Sequence, residues 1–385
     1  MTPNYTIKGV PFYSVETVTG NKWENTKFIS EDIFQKESKR VILQKGDILM
    51  TRIGDIGTAK LIDWDVRASF YVSLALFKNK SCMSFKFLIH YIGYHAFQHE
   101  LYKNTIHVAF PKKINLSEIN KCHIVSPPLN EQERIAEILS TWDDAIIKQE
   151  QLITQKELFK KGIMQQIFSQ KIRFKDENGN NYPTWQSKKL GELDIFISDG
   201  NYGELYPKSH DMKNSGVPFI RANNIKNLCL VWDNMKFIDN DLHLILTSGH
   251  LKTDDILITT RGEIGMLARV TEEFNGSNIN AQICLLRVPE CLNSRFLLQF
   301  LSSSYGKIQF KSLQTGSALK QLPKSSLENI KVNFPAIPEE QTKIANVLTN
   351  IDDEINKQIE ILKQLKLQKQ ALMQKLLTGK MGLTI

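Results

Sequence analysis

Asp255-Ile256-Leu257-Ile258-Thr259-Thr260-Arg261-Gly262-Glu263-Ile264-Gly265 restates Asp47-Ile48-Leu49-Met50-Thr51-Arg52-Ile53-Gly54-Asp55-Ile56-Gly57, 208 residues earlier. Each copy reads as a strand of aliphatic residues running into a turn with two glycines. The correspondence extends outward in both directions. Val10-Pro11-Phe12 returns as Val217-Pro218-Phe219 at an offset of 207, and Glu131-Gln132 returns as Glu340-Gln341 at 209. A period this long is not that of a solenoid, whose units run to about 20–50 residues. It marks two copies of a whole mixed domain, each followed by one long helix.

The helices are read from a heptad. In the second copy, a falls at Ile344, Ile351, Gln358, Leu365 and Leu372, and d at Leu348, Ile355, Leu362, Lys369 and Leu376. In the first copy, a falls at Ile135, Trp142, Gln149, Lys156 and Ile163, and d at Leu139, Ile146, Ile153, Lys160 and Ile167. So narrow an apolar stripe is a coiled-coil seam, and the simplest partner for each helix is the other, antiparallel. Asn130 with Glu133 reads as a capping box behind Pro127-Pro128, and Pro338 as a first-turn proline. Thr378-Gly379 reads as a stop, and Gly162 as a weak point in the first helix. The acid pairs Asp143-Asp144 and Asp352-Asp353 read as solvated or partner-facing charge.

The remaining segments read as strands, such as Phe70 to Phe77 and Ile279 to Val288, and as short helices near Phe85–Phe97 and Ser294–Leu301. The expected class is α+β: two similar domains and two long antiparallel helices, a pseudo-two-fold internal repeat. The boundaries are 1–129, 130–175, 183–336 and 337–380, with turn chemistry from Asp176 to Pro183 between the halves.

Composition narrows the function. The chain has 385 residues, a net charge of +8, and five cysteines with no Cys-x-x-Cys pair. The odd count reads as reduced thiols, and the opening Met1-Thr2-Pro3-Asn4-Tyr5 does not read as a secretion signal, so a cytoplasmic location is expected. No apolar run approaches the roughly 20 residues of a membrane helix. From Arg295 to Lys331 there are six basic residues against one acid, and from Lys86 to His123 five lysines against two acids. The same bias before both long helices points to a phosphate-facing surface. No phosphate-binding Gly-x-x-x-x-Gly-Lys loop, glycine-rich cofactor loop or Asn-Pro-Pro-aromatic motif is present. His95 and His99 lack a third metal ligand, and Glu37-Ser38-Lys39 lacks a partner acid.

These residues resemble a known family, the specificity subunit of type I restriction-modification enzymes. The resemblance rests on the duplicated Asp-Ile-Leu…Gly-[Asp/Glu]-Ile-Gly stretch and on Gly316 through Pro323-Lys324 leading to Pro335. It rests also on Glu-Gln-x-x-Ile-Ala before each long helix and on Tyr182-Pro183-x-Trp185…Lys189-Leu190-Gly191. It implies two target recognition domains that each read half of a split site in double-stranded DNA, and a spacer made by the long helices. It implies docking of two methyltransferase subunits and, through the complex, of restriction and translocase subunits. S-adenosylmethionine, Mg2+ and ATP would belong to those partners, with no catalysis, cofactor or metal in this chain. Two other classes remain open at this point: a self-sufficient DNA nuclease or methyltransferase, and a coiled-coil scaffold that binds no DNA.

Residues with base-edge or phosphate chemistry on turns are the candidate DNA contacts. They are Arg221, Asn223, Asn224, Arg261, Lys320 and Lys324 in the second copy, and Arg52, Lys60, His107, Lys112 and Lys113 in the first. The copies differ at one point. The second has 34 residues from Pro183 to Gly216 before its Val-Pro-Phe, and the first has nine before Val10. The expectation is a first domain missing an edge strand, or a misassigned chain start.

Overall fold

A computed structural model describes residues 3–78, 83–317 and 319–379. Cys82 lies outside them. Two compact units emerge, one of residues 1–150 with 361–385, the other of 151–360. Each long helix therefore contributes one half to each unit. The helices are Leu129–Phe168 and Pro338–Leu377, 40 residues apiece.

In the second unit, four strands order as Leu267–Arg269, Ile256–Thr259, Ile283–Arg287 and Phe196–Asp199, all antiparallel. The apolar run Ile256-Leu257-Ile258 is buried on both faces. Ile256 and Ile258 enter the core that holds Phe296, Phe300, Ile344 and Leu348, while Leu257 enters the core with Ile220, Phe274 and Leu285. Side chains alternate across a strand, so a strand between two cores reads as an unbroken apolar run. A second sheet orders Lys236–Ile238, Val217–Ile220 and Asn278–Ile279, and Gln186–Lys189 pairs with Lys331–Phe334.

The first unit repeats this plan with one omission. Ile48–Ile53 lies between Asp55–Leu61 and Leu74–Phe77, with Ile48 and Met50 facing one core and Leu49 another. Among the described residues, no strand covers the outer edge of Leu74–Phe77, where its counterpart Ile283–Arg287 is flanked by Phe196–Asp199. Residues 122–125, the counterpart of Lys331–Phe334, form no ladder. Neither Gln186–Lys189 nor Phe196–Asp199 has a counterpart among the described residues before Val10. A cavity of about 230 Å³ occupies the uncovered edge, lined by Arg52, Val72, Leu74, Leu76 and Lys78 among others.

The long helices pair antiparallel within each unit. Every a and d position named above is buried or half-buried. The seam lysines meet acids on the facing helix. In the second unit Lys160 donates to Asp352 at 2.6 and 2.7 Å and Lys156 lies 3.4 Å from Glu354; in the first, Lys369 binds Asp143. Asp143 and Asp352 thus point into the helix pair, whereas Asp144 and Asp353 are exposed. The expected solvent or partner role holds only for the second acid of each pair, because a lysine on the seam requires a counter-charge there.

Helix ends follow local chemistry. Pro338 opens its helix, and the C-terminal helix stops before Thr378-Gly379, with Gly379 at φ +70°. The central helix begins at Leu129, one residue before the expected cap; Asn130 Oδ1 accepts only from Glu131 N. It continues as helix through Gly162. Phe70 to Phe77 is not one strand but Ser69–Phe70 and Leu74–Phe77 divided by a turn.

Candidate nucleic-acid interface

The duplicated motifs prove to be scaffolding for two loops. Asp255 is fully buried and takes a bidentate bond from Arg287, 2.7 Å to each oxygen, besides the Lys252 amide. Its counterpart Asp47 takes Lys78 Nζ at 2.8 Å and the Gln44 amide. Each carboxylate fixes the start of a central strand to the end of its neighbour. A buried carboxylate is tolerated only with such partners.

The strand then reaches its turn. Thr259 Oγ1 donates to Glu263 O and accepts from Met266 N, closing the tip; Thr51 Oγ1 does the same with Thr58, donating to its carbonyl and accepting from its amide. Gly57 and Gly265 sit at φ +96° and +87°, a region that L side chains avoid. In the first unit a Cβ there would also strike Gln98.

Each tip carries a second loop bonded to its flank. In the second unit Thr315 and Gln321 exchange both backbone bonds, Arg261 bridges Gln321, and Leu322 N donates to Thr260 O. In the first, Ile106 N donates to Lys113 O, Gly54 N donates to Lys112 O, and Ile53 bridges Lys113. This brings Arg261 and Lys320 together, and places Lys112 and Lys113 beside the other tip. All four are exposed, as are Lys324, at the start of a short helix, and Asn223. The Arg261 guanidinium lies 5.4 Å from the Tyr202 ring centre. Burial first, then the neighbouring Asp199, pushes the Tyr202 phenol up to about 12, so it stays a neutral donor, here to Ala281 O.

Other candidates lie elsewhere. Asn224 is fully buried: its carbonyl accepts from Arg221 N, and its amide donates to Val231 O and Asp233 O. It holds a loop and has no surface to offer DNA. Arg221 spends Nη2 on Asn234 O. Arg52 lines the cavity at the open sheet edge, with Nη1 on Ile114 O and burial lowering its pKa; it does not stand at the hairpin surface. Lys60 is half-buried opposite Leu49, at the end of its strand away from the tip. His107 is exposed and packs on Tyr102, its Nε2 2.9 Å from Tyr102 O.

The sequence marked the recurring glutamines before the long helices but not their role as anchors. Gln341 is buried; its Oε1 accepts from Asn293 N, and Nε2 donates to Cys291 O and Pro335 O. Gln132 repeats this with Ser84 N, Ser126 Oγ and Pro127 O. Asn293 and Ser84 are the caps of equivalent short helices, which explains the recurring glutamine. Above them, Gln299 Nε2 donates to Asp352, and at the equivalent place His90 meets Asp143 at 3.5 Å. Burial first, with help from Lys369, pulls His90 down to about 4, so it is neutral at pH 7.

The family model for the type I restriction modification DNA specificity domain matches residues 3–158 and 182–366. The chain belongs to this family. It is similar to the putative type I restriction enzyme MjaX specificity subunit of Methanocaldococcus jannaschii, 28% identical over 97% of this chain and 87% of that protein. It is also similar to the MjaVIII specificity subunit of the same organism, 28% identical over 66% of this chain and 61% of that one. Among solved structures, the S subunit of a type I restriction-modification system from M. genitalium has a TM-score of 0.58 at 17% identity, covering 97% of this chain and 90% of that one. A chain from a study of type I R-M complex assembly and conformational transition has a TM-score of 0.56 at 15% identity, covering 97% and 92%. Both likenesses concern the fold. None of these matches favours a self-sufficient enzyme or a non-DNA scaffold. No helix among the described residues is long and apolar enough to cross a membrane.

Proposed function

We propose that this specificity subunit reads a bipartite site in double-stranded DNA, one half with each duplicated unit, and does no chemistry itself. The observation that carries this reading is the recurrence, in both units, of a pinned loop with exposed cations beside a glycine hairpin. Lys112 and Lys113 in one and Arg261 and Lys320 in the other suit phosphates and base edges. The long helices serve as the spacer and as the docking surface for two methyltransferase subunits, through which restriction subunits join. S-adenosylmethionine, Mg2+ and ATP act in those partners. The chain works in the cytoplasm.

The test is to produce the chain with its methyltransferase subunit and map methylated adenines across the host genome. The reading expects one split motif, lost when this chain is omitted. Modification of DNA by the purified chain alone, or methylation that ignores its presence, would refute it.

A further inference from the structure

The two pinned loops share a feature that the lysines do not explain. At the apex of the first, between His107 and Lys112, Val108 is 96% exposed and Phe110 103% exposed. At the apex of the second, immediately before Lys320, Leu319 is 89% exposed. A single exposed apolar residue is ordinary on a protein surface. Large apolar side chains standing free at the apex of the same loop in both repeats are a different matter. They contribute nothing to either core, and the loops beneath them are held by the backbone bonds described above.

We propose that Phe110 and Leu319 are wedges that enter the DNA between neighbouring base pairs of their half-sites. This rests on the DNA-reading function proposed above. Phe110 has both ring faces free, and contact with one thymine methyl would leave most of that area in water. Insertion between bases covers both faces and is a known use of Phe and Leu, at the cost of unstacking one step. The surrounding charge supports this occupant. Lys112 and Lys113 flank Phe110, and Lys320 follows Leu319, so each apolar tip has cations beside it to hold the phosphates of the opened step. Apex residues of different shape, Phe-Pro in one loop and Leu in the other, give the two units different preferences for the step they open.

The experiment uses the complex with methyltransferase subunits and a duplex carrying the mapped site, with 2-aminopurine placed in turn at each adenine of each half except the methylated one, whose extrusion into the methyltransferase would by itself raise the signal. Unstacking raises its fluorescence. The expected result is a several-fold rise at one position per half on binding. Phe110→Ala abolishes the rise in one half only and weakens binding about tenfold, within the range for losing one aromatic–base stack. Phe110→Trp retains both. Leu319→Ala does the same to the other half. Because both residues are solvent-exposed, the thermal melting of the free variants stays that of the parent. A parent complex that binds tightly with no fluorescence rise in either half, or a Phe110→Ala complex that keeps the rise, overturns the wedge while leaving DNA reading intact. A parent complex that binds no duplex overturns both.

Discussion

Replacing Asp352 by Ala removes the hub of a buried polar cluster. Its carboxylate holds Lys160 at 2.6 and 2.7 Å and Gln299 Nε2 at 2.7 Å, and the Lys160 and Asp352 side chains are only 12% and 19% exposed. The substitution leaves a seam lysine without its counter-charge and Gln299 without its acceptor. Breaking a buried pair from one side costs about 3–5 kcal/mol. The residual exposure lets water relieve part of this, so about 3 kcal/mol is expected. In a cooperative unit of this size each kcal/mol moves the melting temperature by about 2–4 °C, giving a fall of roughly 6–12 °C. Removing both charges together, as Lys160→Met with Asp352→Leu, leaves no orphan ion, only the Gln299 amide without its acceptor, and should return stability to within about 1–2 kcal/mol of the parent. Calorimetry on the two variants and on Lys160→Met and Asp352→Leu alone closes the cycle. A fall of less than 2 °C for Asp352→Ala, or a double variant no better than the single one, would show that the helices are not registered by this pair.

Three further outcomes follow from the same geometry. His90 titrates near its ordinary value when unfolded and at about 4 when folded, so the unfolded chain holds the extra proton between those values. The stability of the first unit is therefore complete above about pH 6.5 and declines as pH falls toward 4, by up to about 3 kcal/mol. His90→Gln, the residue found at the equivalent position 299, should flatten that part of the stability profile; an unchanged slope in urea titrations at several pH values would contradict the assignment. Asn224→Ala should cost about 2–3 kcal/mol by orphaning three loop groups, yet leave the bases recognised unaltered, as methylome sequencing can check. Arg261→Ala should weaken recognition of one half-site by about tenfold or more, scored with duplexes mutated in either half, and equal loss at both halves would remove it from the interface.

The long-range plan was legible because it is periodic. A heptad needs only its own spacing to be read, and the copy 209 residues away repeats the register. The uncovered edge of Leu74–Phe77 among the described residues was foreshadowed as well, since nothing given before Val10 matches Trp185 to Asp199. The placement of the candidate contacts was legible only in part. Lys112, Lys113, Arg261 and Lys320 stand where turn chemistry put them, but Asn223 and its neighbour Asn224 look alike in sequence and differ in fate, because a tight helical turn aims one outward and the other inward. The functions of Asp255 and Gln341 depend on Arg287, and on Asn293 and Cys291, across 32 to 50 residues, which no local pattern reveals. Phe110 escaped notice for the opposite reason: an apolar residue in a sequence suggests a core, and only its surroundings show that none is there.

The final turns of the C-terminal helix have a consequence for synthesis. Leu376 and Leu377 are 3% and 2% exposed within the core that also holds Ile48, Phe87 and Leu139. The half of the protein made first therefore cannot close its interior until the last turns of the C-terminal helix have left the ribosome. A chain cut within those turns would leave the reader made first with an open interior, while much of the one made second could still assemble.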